Sequence, residues 1–239
     1  MRTHAHTVIL AAAAVAATSQ VGCQSQPQAP GQDSTQASTQ ATTQASTPAQ
    51  GGFTPLFNGK DLSGWKPYLG DSTADPAKTW SVADSVLICQ GQPIGYIATT
   101  ATYTSFELEV EWRFLAAKGE GNSGVLLRVQ EPDKVWPTSV EAQLQSKSAG
   151  DIWNIGNFPM KVEAARTKGR HTEKAHPTNE KPLGEWNRYR IVLQGGHLQL
   201  WVNGLLQNEA TDVAVKPGRI ALQSEGAYIE FRNIRIKPL

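Results

Sequence analysis

A carboxylate and a carboxamide stand two residues apart in "SVEAQLQ": Glu141 and Gln143. In an extended strand that spacing puts both side chains, with Gln145, on one face and Val140, Ala142 and Leu144 on the other. Upstream, "GNSGVLLRV" (121–129) leads through Asn122, Ser123 and Gly124 into a run of Val and Leu that carries Arg128. A guanidinium in an apolar strand is costly unless it faces water or has a partner. If Val125, Leu127 and Val129 point inward, then Leu126, Arg128 and Gln130 point outward, and Arg128 sits on a wet face. Were the two strands neighbours, Arg128 and Glu141 would be within pairing reach. Such a pair has two uses: an acid–base group beside a fixed cation, or a surface ion pair worth about 0–1 kcal/mol. Periodicity by itself points to the second.

The elements that must hold these residues are strands. "FELEVEWRF" places Phe106, Leu108, Val110, Trp112 and Phe114 on one face and Glu107, Glu109, Glu111 and Arg113 on the other, the signature of a half-buried strand. "YRIVLQGGHLQLWVNG" reads as a hairpin, with Tyr189, Ile191 and Leu193 inward, a turn at Gly195-Gly196, then Leu198, Leu200 and Val202 inward. Asn203-Gly204 supplies a further turn, and "WSVADSVLICQ" a shorter hairpin about Ala83-Asp84-Ser85. In "AYIEFRNIRIKPL" the parity slips between the pairs Ile229/Phe231 and Ile234/Ile236, which predicts a β-bulge near Arg232-Asn233. Many short antiparallel strands, each polar on one side, predict an all-β sandwich of two antiparallel sheets, with a groove on the outer face of the concave one. Lys147–Gly184 breaks the pattern. It reads as a long substrate-side insertion, its first half ordered by Trp153, Ile155 and Phe158 and its Lys/Arg/His half mobile.

The chain has 239 residues, a formal net charge of +1, seven Trp and two Cys. The balanced charge excludes the basic stripe of a nucleic-acid binder and gives no electrostatic reason to seek an anionic membrane surface. Residues 1–23 read as an export signal. Met1–Thr7 is weakly basic, and Val8–Ala17 is an apolar run too short to span a bilayer. Gly22-Cys23 resembles a bacterial lipobox without the usual Leu three residues before the Cys. The expectation is lipidation of Cys23, with Gln24 pointing to the outer membrane or cell surface; the alternative is a plain secretory signal cleaved nearby. Residues 24–52 are Gln, Ser, Thr, Ala, Pro and Gly almost throughout and cannot build a core. As a coil of about 29 residues they form a disordered tether on the order of 30 Å long. Residues 53–239 are then the folded domain. With Cys23 lipidated, Cys89 has no disulfide partner and reads as a small buried hydrophobe.

The stretches "FTPLFNGKDLSGWKP", "GNSGVLLR", "VEAQLQ", "GEWNRYRIVLQGGHLQLWVNG" and "GRIALQSEGAYIEFRNIRIKPL" together resemble the 3-keto-disaccharide hydrolase domain family over Phe53–Leu239. The resemblance implies a concanavalin A-like jelly roll and chemistry on a sugar oxidised at C3. A 3-keto group acidifies the hydrogen on C2, so the glycosidic oxygen on C1 can leave by elimination, after which water adds. That route needs a base near C2, a cation or donor at the ketone oxygen and an acid for the leaving group, not a conventional pair of glycosidase carboxylates. The resemblance implies Glu141 as base or acid, Arg128 at the ketone and Gln143 on the hydroxyls. "LQSEGA" departs from a common family form in which a His follows the Gln. Glu225 therefore becomes a second catalytic carboxylate, or else a turn residue before Gly226, and Gln223 is assigned to substrate binding.

Trp136 and Trp153 lie outside the main strand pattern and could stack on a sugar face. Asp151 could take a hydroxyl, and Arg232 could reach the groove from its bulge. Trp186 and Asn187 read as opening a strand. His171, Glu173 and His176 lack a third firm metal ligand. Asp71 and Asp75 could bind Ca²⁺ but also suit turn chemistry. No cofactor is expected, a divalent cation being left open, and there is no G-x-S-x-G elbow, P-loop or dinucleotide fingerprint. The expected partner is a carbohydrate, with membrane contact only through the lipid and no nucleic acid. The competing readings are a non-catalytic carbohydrate-binding module on the same fold and a cell-surface adhesion domain.

Overall fold

The computed structural model describes residues 52–239; the expected export signal, Cys23 and the expected tether up to residue 51 lie outside the described residues. In chain order the strands are β1 Thr54–Pro55, β2 Trp65–Leu69, β3 Trp80–Ala83, β4 Val86–Cys89, β5 Gly95–Thr99, β6 Phe106–Arg113, β7 Gly124–Val129, β8 Ser139–Gln143 and β9 Ile152–Ile155. They continue with β10 Lys161–Val162, β11 Thr167–Lys168, β12 His171–Thr172, β13 Asn187–Gln194, β14 His197–Val202, β15 Leu205–Thr211, β16 Arg219–Ser224 and β17 Ile229–Pro238. They form two antiparallel sheets. A back sheet runs β10-β15-β14-β13-β6-β17-β4-β3, with β1 added on β17; a cleft sheet runs β11-β12-β9-β8-β7-β16-β5-β2. This is the all-β sandwich of two antiparallel sheets that the strand pattern predicts, and the jelly roll that the family resemblance implies.

The core lies between the sheets. From the back sheet come the alternate apolar residues of β6, β13 and β14; Val125, Leu127, Val140, Ala142 and Ile152 come from the cleft sheet. Each large apolar side chain removed from water contributes about 1.5–3 kcal/mol. The opposite faces of the back-sheet strands carry an ion-pair lattice: Glu107 with Arg190, Glu109 with Arg188 and Arg235, Glu111 with Arg232, and Arg113 with Glu230. That lattice accounts for the charged alternation of "FELEVEWRF". The hairpin turns fall at Asp84-Ser85, Gly195-Gly196 and Asn203-Gly204. The slip in β17 occurs between Arg232 and Arg235, with Asn233 at φ 51°.

Arg128 corrects the simple alternation. Four residues of β7, Leu126 to Val129, are matched by three of β16, Ala221 to Arg219. The extra residue is a bulge, and Arg128 takes φ 52° in it. Its side chain is turned off the outer face and is fully buried. The guanidinium donates to the carbonyls of Thr104, Gly195, Val213 and Ala214. These acceptors lie at one end of the back sheet, so Arg128 clamps the two sheets together there. Val129 moves with it and packs with Leu126, Ala221, Ala98 and Tyr96 on the cleft side. Gly218 lets the chains approach, since a Cβ there would overlap the Arg128 backbone.

Lys147–Gly184 is a second correction, because it is not one long loop. It supplies β9, β10, β11 and β12, and its basic part extends the cleft sheet through β12 on β9 and β11 on β12. Short strands of two residues leave no detectable period, which is why the pattern hides them.

Candidate active site

Strand register sets the floor of a cleft on the outer face of the cleft sheet. Ala221 stands opposite Leu126, Leu126 opposite Glu141, Glu141 opposite Trp153, and Trp153 opposite His171. Directly paired residues share a face, so these five make one row across five strands. The next row contains Tyr68, Tyr96 and Gln223 on one side and the pair Gly124–Gln143 on the other. The cleft above has a volume of about 360 Å³. Glu141, Gln143 and Ile155 lie at its base, Trp136 and Glu225 at one wall, and Trp153 and Arg170 at another. Asn122 and Gln145 complete the lining.

Glu141 is 5% exposed, and its Oε1 has no hydrogen-bond partner. Burial, and then the nearby Glu225, push its carboxyl up to about 8 against the opposing pull of Arg170. The side-chain oxygen of Gln223, 2% exposed, is also unpartnered. Both oxygens crowd the Cα of Gly124, where a Cβ would overlap them. Glu225 is raised from its ordinary value by burial, while the Trp136 indole N–H, donating to its Oε1 at 3.2 Å, pulls it back. The Gln143 oxygen is taken by the backbone N–H groups of Leu144 and Gln145 at 2.8 and 2.9 Å. That lock leaves the Gln143 Nε2 as the donor turned to the cleft.

Sequence-predicted residues divide accordingly. The fold brings Glu141, Glu225, Gln143, Trp136 and Trp153 together around one cleft, with Gln223 against the Gly124 side of Glu141. Three others stand elsewhere. Arg128 lies in the sheet-end clamp described above. Arg232 is on the outer face of the back sheet, bonded to Glu111 at 2.7 Å, its guanidinium 4.1 Å from the Trp186 ring. Direct pairing with Glu111 puts Arg232 on the charged face of β17, so it cannot reach the cleft. Asp151, 4% exposed, is occupied on the far side of Trp153. It bonds His171 Nε2 at 2.7 Å and accepts from the Lys174 backbone N–H at 2.9 Å. His171 in turn stacks on Trp153 at 4.6 Å and 14°.

The cation of the cleft is Arg170, its guanidinium 5.7 Å from the Trp153 ring centroid. Sequence reasoning missed it because it lies in "KGRHTE", inside the segment expected to be mobile. Asn122 was in view in "GNSG" but carried no assigned role. Asp71 and Asp75 hold turns, accepting from Thr73 and from the Ala77 N–H. Among the described residues no group of three or more His, Cys, Asp or Glu is arranged to hold a metal ion.

Comparison with known proteins bears on this arrangement. A 3-keto-disaccharide hydrolase of Bacteroides thetaiotaomicron is 26% identical over 235 residues, covering 79% of each chain. A crystal structure of a putative glycosyl hydrolase from Parabacteroides distasonis aligns at TM-score 0.55 and 26% identity, over 79% of this chain and 94% of that one. A second from the same species aligns at TM-score 0.59 and 24% identity, over 79% and 100%. The family described as the 3-keto-alpha-glucoside-1,2-lyase-like domain matches residues 52–237, from the residue before Phe53 to the penultimate residue of the last strand. With the match running through both sheets and every residue of the cleft, the chain belongs to the 3-keto-alpha-glucoside-1,2-lyase-like domain family.

Proposed function

We propose that this protein is a glycoside-cleaving hydrolase that acts on 3-keto-glycosides in the cleft, by elimination followed by addition of water. The observation that carries the reading is Glu141: a buried carboxyl with an unpartnered oxygen, at the base of a cleft that holds a second carboxyl and an arginine. The homologue's name and family membership support the substrate class.

The two carboxyls divide the work by environment. Glu141, pushed up to about 8, keeps its proton at neutral pH and serves as the acid. Glu225, held by the Trp136 N–H, is the base. It takes the hydrogen from C2, and the electron pair moves onto the C3 ketone to give an enediolate. As the ketone re-forms, the C1–O bond breaks, C1=C2 forms, and the leaving oxygen takes the proton of Glu141. Water then adds its oxygen to C1 and a proton to C2, so the sum of the two steps is hydrolysis. Arg170 supplies positive charge for the enediolate. The Gln143 Nε2 and Asn122 hold hydroxyls, and Trp136 and Trp153 flank the ring.

The test is a 3-keto-disaccharide incubated with the protein in D2O, beside the parent disaccharide and an enzyme-free control. The expected result is reducing sugar from the 3-keto substrate alone, with deuterium at C2 of the product above the control. Cleavage without that label would overturn elimination, and the absence of cleavage would overturn the substrate class.

We also infer export, with Cys23 carrying lipid and the tether holding the domain off the membrane. The leader, the Gly22-Cys23 pair and the low-complexity stretch support this. Membrane-bound protein that becomes soluble on Cys23→Ala is the expected result; unchanged membrane association in that variant would refute lipidation at Cys23.

A further inference from the structure

The connection between β7 and β8, residues 130–138, folds over the outer face of the cleft sheet instead of projecting from its end. Its only large aromatic side chain, Trp136, is 51% exposed, so packing alone does little to hold it. Yet its indole N–H reaches Glu225 Oε1 at 3.2 Å. What fixes the loop is Asp133, three residues earlier.

One oxygen of Asp133, Oδ1, accepts from the Tyr96 hydroxyl at 2.5 Å and from the guanidinium of Arg219. Arg219 also pairs with Glu131 at 3.1 Å. Both donors stand on strands of the cleft sheet: Tyr96 on β5, stacked on Tyr68 at 5.4 Å, and Arg219 at the start of β16. The anchors are therefore rigid and the loop is the adaptable part. Burial would raise the Asp133 carboxyl, but the Arg219 and Tyr96 donors outweigh it and hold it below its ordinary value. The latch thus stays charged wherever the carboxyls of the cleft titrate. The start of the loop is tied by Gln130 Nε2, which donates to the carbonyls of Arg128 and Pro217 at 2.9 and 3.0 Å. Its end is tied by the Ser139 hydroxyl, which donates to the Pro137 carbonyl at 2.9 Å. Between these ties, Asp133 binds the loop down onto the sheet through two donors, and the more exposed Glu131 adds its pairing with Arg219.

We propose that Asp133 is a positioning residue: it latches the 130–138 loop across the cleft and so presents the Trp136 N–H to the Glu225 carboxylate that acts as the base. The inference rests on the role given to Glu225 above. The titratable and charged groups that share the cleft with Glu225 are Arg170 and Glu141, the latter keeping its proton until about 8. Neither is carried by the loop, so both stay in place when the loop is freed, whereas the Trp136 donor does not.

The experiment compares the pH profile of kcat/KM on a 3-keto-disaccharide for wild type, Trp136→Phe, Asp133→Ala, Asp133→Asn and the double variant. Trp136→Phe keeps an aromatic wall and loses the donor, so the midpoint of the acid limb moves up by about one pH unit. Asp133→Ala moves it in the same direction, and adding it to Trp136→Phe produces no further shift. Asp133→Asn, which still accepts from Tyr96 and Arg219, restores most of the wild-type profile. An acid limb that does not move in Asp133→Ala, or shifts that simply add in the double variant, would overturn the proposal. Should Asp133→Ala not fold, Tyr96→Phe removes one latch bond and is read in the same way.

A substrate-free readout separates this inference from the function it rests on. Tryptophan emission titrated against pH is expected to show a step that disappears in both Trp136→Phe and Glu225→Gln, and that is lost or strongly reduced in Asp133→Ala. With that step present and no cleavage in wild type, the latch stands and the substrate assignment falls. With cleavage present and no such step, the latch falls.

Discussion

The side-chain oxygens of Glu141 and Gln223 meet over the bare Cα of Gly124, and neither has a hydrogen-bond donor. Two buried acceptors left facing each other are costly unless one carries a proton or a ligand supplies one. A protonated Glu141 donating to Gln223 resolves this, which agrees with a carboxyl pushed up by burial. Gly124→Ala would drive a methyl group into both oxygens. We expect kcat to fall about 100-fold or more as the acid is displaced, because small misplacements of reacting groups are that costly. Steady-state kinetics beside a thermal melt checks it, and wild-type kcat in a folded variant would refute the arrangement.

The same carboxyl makes stability depend on pH in a defined direction. Glu141 ionises near 4.5 when exposed and near 8 in the fold. Between those values the folded state holds a proton that the unfolded state has released, so stability falls as pH rises through that window. Glu141→Gln has no proton to lose. Its melting temperature should stay near that of wild type at the acidic end of the window and exceed it at the basic end. Turnover should be lost in the variant while affinity is largely kept. A Tm difference that does not change with pH would argue against a neutral Glu141.

Arg128 is a stability residue. Replacing it with Met leaves the carbonyls of Thr104, Gly195, Val213 and Ala214 without their donor. Truncating a buried, hydrogen-bonded charge typically costs about 3–5 kcal/mol, which urea denaturation would measure. Arg128→Lys should recover only part of this, since an ammonium cannot fork to four acceptors. Folded Arg128→Lys should keep kcat and KM close to wild type. A large loss of kcat with wild-type stability would return Arg128 to the reaction.

Trp153 is backed by His171, and His171 is held by Asp151. Removing the backing in His171→Ala should raise KM roughly 3- to 10-fold and leave kcat within about twofold, the size of one aromatic stacking contact. His171→Phe should restore KM, because a flat ring replaces a flat ring. If His171→Ala lowers kcat and leaves KM unchanged, the imidazole takes part in proton transfer and is more than a support.

Strand alternation in β6, β8, β13 and β14 could be read directly, because period two follows from the pleat and from a single buried face. That was enough to put Glu141 and Gln143 on the open side of a sandwich, and the motifs spread from Phe53 to Leu239 were enough to name a family. The position of Arg128 could not be read. One added residue in β7 reverses every later side chain, and nothing in "GVLLRV" marks it; the cause is the mismatch with β16, a strand about ninety residues away. Arg170 was hidden for a related reason, since β11 and β12 are too short to show a period and exist only because β9 offers them an edge. The meeting of Glu225 with Trp136 likewise depends on a loop folded back onto the sheet through Asp133. Residues that a strand carries follow from local geometry, whereas residues delivered by bulges and folded-back loops depend on partners distant in the chain, and the packing of the whole sandwich selects them.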